Sequence, residues 1–474
     1  DFEIALAGEL AAGSTASTRT GLLKSARALV AKLHAEEEKR LVAALGPLGI
    51  DWSAAAAGAA PATLDLKVTL SPPGAINAGD VVTVTATAKN PGTSPAFRVL
   101  ARLHSDHYVF DDYELHLGKI GAGETRTYTR KIQIPKDALS RVDRVDVEVR
   151  GAKATPDPVM VRIKAAPRPT FAYTYQLVDE GNGDGLVQRG EKHKLLVTFK
   201  NTGEGASPEA TALLRNASGD GVVLSKSRVE LGVLEPGASR SLEFPVSITR
   251  ELRGDELALE VIAYDAVLET QASEKLRFPL APALPVIRAQ GAVAVRTKRA
   301  ELRSGASADS TLLGWAQKGN AFPLQGTVGP WTKVDLGGRP GYLASSALSA
   351  VGGRPVPSYH PHWQSTPPAL TLELDGLETV ADRYALKGSI VDDHHVEDVF
   401  VVVSNQAAKI DSKKVFYRSN RKRGSEQRLD FETSVPLWPG ANQVTVVARE
   451  TSDVRTVQTF IIYRDATRTA AVTR

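Results

Sequence analysis

The sequence predicts a multidomain, mainly β protein, made of β-sandwiches and one small barrel, with a short α-helical segment at its N-terminus. Three observations support this fold class. Short stretches alternate apolar and polar residues, which is the period of a half-buried strand. Glycine, proline and asparagine separate these stretches at the spacing of tight turns. With 474 residues, the chain is long enough for three or four domains, each with its own core.

Residues 1–51 have a helical pattern. Phe2, Leu6 and Leu10 lie four residues apart, and Gly13 predicts the end of this first helix. A longer helix follows, and Gly46-Pro47 predicts where it stops. Its apolar side consists of Leu22, Ala26, Leu29, Leu33, Leu41 and Leu45. Two helices of this size are too small to form a core alone, so we expect them to pack on another domain. An alanine-rich linker, residues 53–63, comes next.

One block of the sequence occurs twice. Residues 77–80 (N-A-G-D) correspond to residues 188–191 (Q-R-G-E), and residues 89–92 (K-N-P-G) correspond to residues 200–203 (K-N-T-G), so both motifs recur after 111 positions. A leucine–glycine turn follows in each copy, at 117–120 and at 231–234. A repeat of this length is a duplicated domain, because solenoid repeats run to about 20–50 residues.

The duplicated block predicts two sandwiches, at residues 64–166 and 170–281. Short alternating strands between turns, with about 100 residues per unit, are typical of an immunoglobulin-like sandwich. In the first copy, Val82, Val84, Ala86 and Ala88 alternate with threonines. The K-N-x-G and L-G-x-[IL]-x-x-G motifs of both copies resemble those of CARDB-type domains, which are related to bacterial adhesion. The resemblance implies the sandwich fold and indicates no particular ligand.

Residues 289–351 predict a small barrel, with glycine at each tight turn between short strands. The segments V-R-T-K-R-A-E-L-R-S-G-A-S (295–307), L-L-G-W-A-Q-K-G (312–319), G-P-W-T-K-V (329–334) and G-R-P-G-Y-L (338–343) resemble a bacterial SH3-like domain. That resemblance implies binding of cell-wall peptides or glycans, or a scaffold role. Trp331 and Tyr342 are the candidate ligand-binding residues; the alternative places them, with Trp315, in the barrel core.

A linker at residues 354–368 contains His360 and His362, whose spacing could suit a metal, but the intervening proline favours an extended linker. Residues 369–464 predict a third immunoglobulin-like sandwich, in which Val399–Val403 and Val444–Ala448 are the clearest buried strands. Its densest group of titratable side chains is at 392–398, where a solvated loop is favoured over a metal site. The remaining residues, 466–474, predict a frayed tail.

The stretch before a predicted strand at 194–200 has the spacing of a twelve-residue calcium loop. Counting Glu180 as position 1 places Gly185 at position 6 and Glu191 at position 12. The predicted calcium ligands are Glu180, Asn182, Asp184, the carbonyl of Leu186, Gln188 and Glu191. No helix pattern follows, so calcium would act as a clip at the entry to the second sandwich. The alternative is a glycine-rich turn without metal.

Composition excludes several functions. The chain has no cysteine, so disulfides, thiol catalysis and cysteine-based zinc sites are absent. Its 58 basic and 54 acidic residues are intermixed, and the net charge of +4 argues against nucleic-acid binding. No stretch approaches the roughly 20 apolar residues of a membrane span. The sequence does not settle the oligomeric state.

No catalytic residue is predicted, because the sequence contains no P-loop, dinucleotide fingerprint, H-E-x-x-H or G-x-S-x-G. Two segments rich in charge are read as surface structure. The first, at 104–112, favours a turn over a metal or nucleophile site. The second is a basic run that favours a solvated hairpin, with anionic glycan or lipid head groups as the alternative: Lys413, Lys414, Arg418, Arg421, Lys422 and Arg423.

The N-terminal segment carries a further resemblance. D-F-E-I-A-L-A at 1–7 and L-G-I-D-W at 48–52 are similar to the end of the catalytic domain in bacterial C-terminal processing (tail-specific) serine peptidases, especially exported forms with immunoglobulin-like domains downstream. The Ser–Lys elements of that family have no match in this chain, and Asp1 leads us to expect a processed form or part of a longer protein.

The resemblance implies that the chain is a non-catalytic arm of an exported protein, at the periplasm or cell surface of a bacterium. Its expected partner is a protein, peptidoglycan or another surface glycan. The alternative is a free-standing adhesion or structural protein without peptidase ancestry.

Overall fold

A computed structural model describes residues 16–56, 59–421 and 426–467. It confirms the predicted fold class, since immunoglobulin-like β-sandwiches and a small SH3-like barrel follow an α-helical segment. The chain forms two compact units: residues 1–76, 80–134 and 143–162, and residues 77–79, 135–142 and 163–474. The helix predicted at Phe2–Leu10 lies outside the described residues.

Helix α1 spans Ala16–Leu45 and continues as a 3-10 turn, Gly46–Leu48. The predicted stop at Gly46-Pro47 is confirmed. Leu45 is buried, whereas Leu33 and Leu41 are 53% and 46% exposed. Leu33 and Leu41 of the predicted apolar side therefore have no core beneath them in the first unit. No helix in the described part of the chain is both long enough and apolar enough to cross a membrane.

The first sandwich has one sheet in the order β1-β3-β6 and a second in which β4 pairs with β5 and β7. Its strands are β1 (Asp65–Ser71), β2 (Ala75–Asn77), β3 (Val81–Lys89), β4 (Ala96–Ser105), β5 (Tyr113–Ile120), β6 (Thr125–Gln133), β7 (Ser140–Arg150) and β8 (Val159–Lys164). The predicted alternation on β3 is confirmed, because Val82, Val84, Ala86 and Ala88 are buried and their neighbours face outward.

The second sandwich has two four-stranded sheets, β12-β14-β10-β9 and β13-β11-β15-β16. Its strands are β9 (Phe171–Asp179), β10 (Lys192–Asn201), β11 (Ser207–Asn216), β12 (Val222–Leu224), β13 (Arg228–Leu234), β14 (Ser239–Ile248), β15 (Glu256–Asp265) and β16 (Thr270–Pro279). Both sheets contribute to one apolar core, with Phe199 and Phe244 from the first and Leu214 and Leu259 from the second.

The repeated K-N-x-G motif places a buried asparagine at the same point of both sandwiches. The side-chain amide of Asn90 donates to the carbonyl of Ile120 at 3.1 Å, and that of Asn201 donates to the carbonyl of Leu234 at 2.9 Å. Both acceptors end the repeated leucine–glycine motif, which lies within strands β5 and β13 and not in a turn. Because buried amides need partners, the two motifs recur together along the sequence.

The barrel is a nine-stranded sheet whose main path runs β24-β18-β21-β22-β23-β19-β20-β25, with β17 beside β21. Its strands are β17 (Val286–Arg288), β18 (Ala292–Val295), β19 (Arg299–Arg303), β20 (Leu312–Gln317), β21 (Ala321–Val328), β22 (Trp331–Asp335), β23 (Pro340–Ala344), β24 (Leu348–Val351) and β25 (His360–Pro361). A 3-10 turn, Ser345–Ala347, precedes β24. Leu302, Phe322, Val334 and Leu343 fill its interior.

The last sandwich packs the sheet β26-β28-β31 on strands β33, β32, β29 and β30. Its strands are β26 (Ala369–Glu373), β27 (Glu378–Thr379), β28 (Arg383–Val391), β29 (Asp398–Asn405), β30 (Ile410–Ser419), β31 (Arg428–Pro436), β32 (Gly440–Arg449) and β33 (Arg455–Arg464). The two strands predicted to be most buried, at 399–403 and 444–448, lie in β29 and β32 at the centre of this core.

Candidate functional site: the acidic loop and the barrel

The acidic loop, residues 179–193, joins β9 to its neighbour β10. Asp179 on β9 pairs with His193 on β10, so the loop leaves and re-enters the sheet at one point. Gly183, Gly185 and Gly190 have φ angles of 80°, 73° and 88°. Glycine adopts this left-handed conformation without steric cost, and the glycine spacing therefore specifies the turn.

Two carboxylates hold the turn through backbone N–H groups. Asp179 accepts hydrogen bonds from two loop glycines, at 2.6 and 3.1 Å. Asp184 is fully buried and accepts from the N–H groups of Leu186 and Leu284, both at 2.8 Å. Hydrogen bonds to a charged group contribute about 1.5–3 kcal/mol each. Asp184 thus stabilises the loop and also binds the segment that enters the barrel at Leu284.

Most of the predicted calcium ligands already have other partners, although Oε2 of Glu191 has no hydrogen-bond partner among the described residues. Glu180 forms an ion pair with Lys194 at 3.2 Å. Oδ1 of Asn182 accepts the N–H of Asp184 at 2.8 Å, and its side-chain amide donates to Oε1 of Gln188 at 3.0 Å. Calcium at these positions would have to replace these partners, so the calcium prediction rests on the sequence spacing alone.

A group of three titratable side chains in the loop differs from the predicted set. Asp179, Glu191 and His193 each offer a ligand atom, and these three atoms lie within 4.8 Å of one another. Only Glu191 was among the predicted ligands. Burial raises the pKa of Glu191, and the charges of Asp179 and Asp184 raise it further. Burial lowers the pKa of His193, so the imidazole is kept neutral among these carboxylates.

Lys333 brings a positive charge from the barrel to the acidic loop. Its ammonium donates to the carbonyl oxygen of Gly183 at 2.7 Å. Burial lowers the pKa of Lys333, and the nearby Asp179 and Asp184 oppose that shift. The positive charge of Lys333 therefore offsets part of the negative charge of Asp179 and Asp184.

Tyr342 joins the same contact from the neighbouring strand. Its hydroxyl donates to the Gly183 carbonyl at 2.9 Å, and its side chain is fully buried with Ala306 and Val328. Burial raises the pKa of this phenol. The structure thus places Tyr342 in the core, one of the two alternatives that the sequence left open. Trp331 packs half-buried against the same residues.

Two glycines allow the loop and the barrel to approach closely. A Cβ atom on Gly305 would lie 1.9 Å from the carbonyl oxygen of Gly185, and one on Gly185 would lie 2.6 Å from the ring of Tyr342. Both distances are far below van der Waals contact. Any larger residue at either position must separate the two backbones.

A cleft opens beside this contact. It is lined by residues 181–183 of the acidic loop, by residues 283–286, and by Arg288, Gln325 and Lys333. Its walls present backbone groups and two basic side chains, which suits a polar ligand more than an apolar one.

The segment predicted as an extended linker contributes to the barrel and to the second sandwich. His360 and Pro361 pair with β20. The side-chain amide of Gln364 donates to the Leu312 carbonyl at 2.7 Å, and its Oε1 accepts the N–H of Tyr175 at 2.9 Å. One glutamine therefore connects a barrel strand to β9.

The segment at 104–112 forms a turn, as the sequence favoured, but His107 and Phe110 within it are buried. Residues 104–112 form the end of β4 and the turn before β5, where Asp111 accepts the N–H of Ser105 at 3.1 Å. In the basic run, Lys413, Lys414 and Arg418 lie on β30. Lys422 and Arg423 are outside the described residues.

Comparisons with known proteins do not identify a family. No protein-family model matches the chain, and no curated protein matches it. Among solved structures, the crystal structure of red sea bream transglutaminase is similar over 46% of this chain and 31% of that chain, with 13% identity and a TM-score of 0.20. A likeness this weak carries no functional argument.

Sequence reasoning did not single out Asp179, His193, Lys333, Gly305 or Gln364. A local signal existed for His193, which lies two residues after Glu191 and so shares its side of the strand. Lys333 and Gly305 had none, because their role depends on a contact with a loop more than 100 residues away in sequence.

Proposed function

We propose that this chain is the non-catalytic scaffolding and binding arm of an exported bacterial cell-envelope protein. The observation that carries the proposal is the contact of the acidic loop with the barrel, in which Tyr342 and Lys333 both donate to Gly183. These two barrel side chains bind the loop of the second sandwich. Hydrogen bonds between domains of this kind hold the barrel and the sandwich at a defined angle. That is the property a scaffold needs.

The resemblance of residues 1–7 and 48–52 to the end of a tail-specific peptidase domain supports a position downstream of such a domain. In that arrangement the arm anchors the peptidase or presents its substrate or wall polymer. The second candidate is a free-standing surface protein, which the CARDB-type motifs favour. Intact mass and N-terminal sequencing of the native protein separate the two, because only the first requires a Ser–Lys domain upstream.

The rigidity of the arm can be measured with spin labels. The chain has no cysteine, so a pair introduced at two exposed positions, Val223→Cys on β12 and Val351→Cys on β24, is labelled uniquely. We expect one narrow distance distribution by electron paramagnetic resonance. A distribution as broad as that of two freely linked domains would overturn the scaffold proposal.

Binding to wall polymer is tested separately by co-sedimentation of the whole chain with purified peptidoglycan. We expect the chain to sediment, and Trp331→Ala to weaken sedimentation because Trp331 is a half-buried aromatic of the barrel. A chain that stays in solution removes peptidoglycan as the partner. The spin-label result is independent of this outcome.

A further inference from the structure

A second group of titratable side chains lies in the last sandwich, away from the acidic loop. We call Asp392, Asp393, His394 and Glu450 the His394 cluster. The first three follow the end of β28, and Glu450 follows the end of β32. The sequence favoured a solvated loop at 392–398, because neighbours along a strand alternate faces, so that only alternate members of the group converge.

The loop geometry turns His394 toward Glu450. Oδ1 of Asp392 accepts the N–H groups of His394 and His395 at 2.7 and 3.0 Å, which folds the backbone back on itself. Nδ1 of His394 then lies 3.0 Å from Oε1 of Glu450 and 3.8 Å from Oδ1 of Asp393. Ligand atoms of Asp392, Asp393 and His394 all lie within 4.8 Å of one another.

Two carboxylates of the cluster are buried and incompletely bonded. Asp392 and Glu450 are each 7% exposed. Oδ2 of Asp392 and Oε2 of Glu450 have no hydrogen-bond partner among the described residues. A buried carboxylate oxygen without a donor is costly, so these atoms call for a cation or a proton. Arg449, which precedes Glu450 in the chain, is already paired with Asp398.

Asp392 and Glu450 are both carboxylates that the fold removes from water. When both are ionised they repel each other, and a bound dication would offset both charges at once.

A second imidazole lies beside the cluster. The ring of His362, from the segment before the last sandwich, has its centroid 4.9 Å from that of His394 and 5.1 Å from that of Trp315.

We propose that the His394 cluster binds a divalent transition-metal ion, with Asp392, Asp393, His394 and Glu450 as ligands and Zn²⁺ as the test ion. Ligands of one zinc ion lie about 2.0–2.2 Å from it, so neighbouring ligand atoms are about 3–4 Å apart, which the 3.0 and 3.8 Å separations match. Imidazole beside carboxylate selects zinc and its neighbours over calcium, whose ligands are oxygens. The bound ion would tie the 392–394 loop to the end of β32. This site is independent of the proposed scaffold function.

Zinc titration of the whole, chelator-stripped chain tests the proposal, with Co²⁺ as a spectroscopic substitute that reports nitrogen and oxygen ligands. We expect one saturable site whose affinity falls by at least about tenfold in His394→Gln and in Glu450→Gln. His395→Gln is the matched control, since His395 offers its backbone N–H to Asp392 and is not one of the proposed ligands. Zinc should also raise the melting temperature of wild type and of the control.

His193→Gln distinguishes this site from the group in the acidic loop. Metal binding that is lost in His193→Gln but unchanged in His394→Gln and Glu450→Gln would overturn the proposal, as would the absence of a saturable site. Circular dichroism of the metal-free variants shows whether they fold. If His394→Gln does not fold, the conservative Glu450→Gln and the Co²⁺ spectrum of wild type still decide the question.

Discussion

The hydroxyl of Tyr342 donates a hydrogen bond to the backbone carbonyl of Gly183, 159 positions earlier in the chain, at 2.9 Å. The same carbonyl accepts the ammonium of Lys333 at 2.7 Å. Tyr342 and Lys333 are register partners on β23 and β22, which explains how both reach one oxygen atom. The contact between the second sandwich and the barrel therefore depends on the strand register within the barrel.

Removal of the Tyr342 hydroxyl should loosen this contact. Tyr342→Phe keeps the ring in the core but removes one of two donors to Gly183, so we expect a loss of about 0.5–1.5 kcal/mol in the free energy of unfolding. Denaturant unfolding measures the loss, and hydrogen exchange should quicken at the acidic loop. Tyr108→Phe is the control, because Tyr108 is 74% exposed and its change should stay within about 0.5 kcal/mol. Equal stability of Tyr342→Phe and wild type would contradict the role of the hydroxyl.

A methyl group at Gly305 should separate the loop from the barrel. The added Cβ would lie 1.9 Å from the Gly185 carbonyl oxygen, so Gly305→Ala must move one backbone, at a cost of about 1–3 kcal/mol. We expect faster amide exchange at Leu284 and a broader spin-label distance distribution. Gly352→Ala, where no atom lies within 4 Å, should leave both unchanged. Identical exchange in the two variants would show that the close approach is unimportant.

Acid should remove a specific part of the stability of the second sandwich. Burial alone would raise the pKa of Asp265, but hydrogen bonds from the Ser207 hydroxyl and from the N–H groups of Glu209, Leu268 and Val267 outweigh burial and lower it. A carboxyl whose folded-state pKa is depressed stabilises the fold above its unfolded-state pKa of about 3.9, and this contribution is lost as pH falls through the folded-state pKa.

Asp265→Asn tests this dependence, because the amide has no charge to titrate. At neutral pH we expect the variant to be less stable by about 1–3 kcal/mol, with the difference shrinking as pH falls below about 4. Urea unfolding across this pH range measures it. A difference that stays constant down to about pH 2 would refute the linkage.

The spacing of the acidic loop predicts that calcium stabilises the second sandwich. Extracellular calcium modules bind at about 10⁻⁴–10⁻³ M, and an ion at about 100 times its Kd adds about 2.7 kcal/mol. Calcium at about 10–100 mM, roughly 100 times this Kd, should therefore raise the melting temperature of the second sandwich in the whole chain, and chelator should reverse the shift. Glu191→Gln should abolish it, whereas exposed Glu204→Gln should not. An unchanged melting curve would leave the alternative, a glycine-rich turn held by its own hydrogen bonds.

Much of the fold could be predicted because its causes are local. Val82, Val84, Ala86 and Ala88 face one core since side chains alternate along a strand, whatever the strand packs on. Gly46-Pro47 ends α1 through the missing N–H and ring of proline. The glycines of the acidic loop indicate a turn because few other residues tolerate a positive φ. The repeated K-N-x-G motif also indicated the duplication, because the sequence alone shows its recurrence.

The sites depended on contacts that no local pattern encodes. The sequence spacing predicted Glu180 as a metal ligand of the acidic loop. In the structure Glu180 forms an ion pair with Lys194, and Asp179 lies near Glu191. Likewise, the sequence allowed Tyr342 to bind a ligand or to pack in the core. The structure buries its side chain beneath the acidic loop.

By itself, then, the sequence determined the β-rich class, the duplicated sandwich, the helix end and the loop turn, because backbone sterics and side-chain periodicity act over a few residues. Only the tertiary structure decided that Lys333 donates to Gly183 and that the rings of His362 and His394 are in contact. These contacts depend on how whole domains pack and on which strands are neighbours. The packing is determined by the sum of many weak contacts across the second unit, and no short stretch of sequence encodes it.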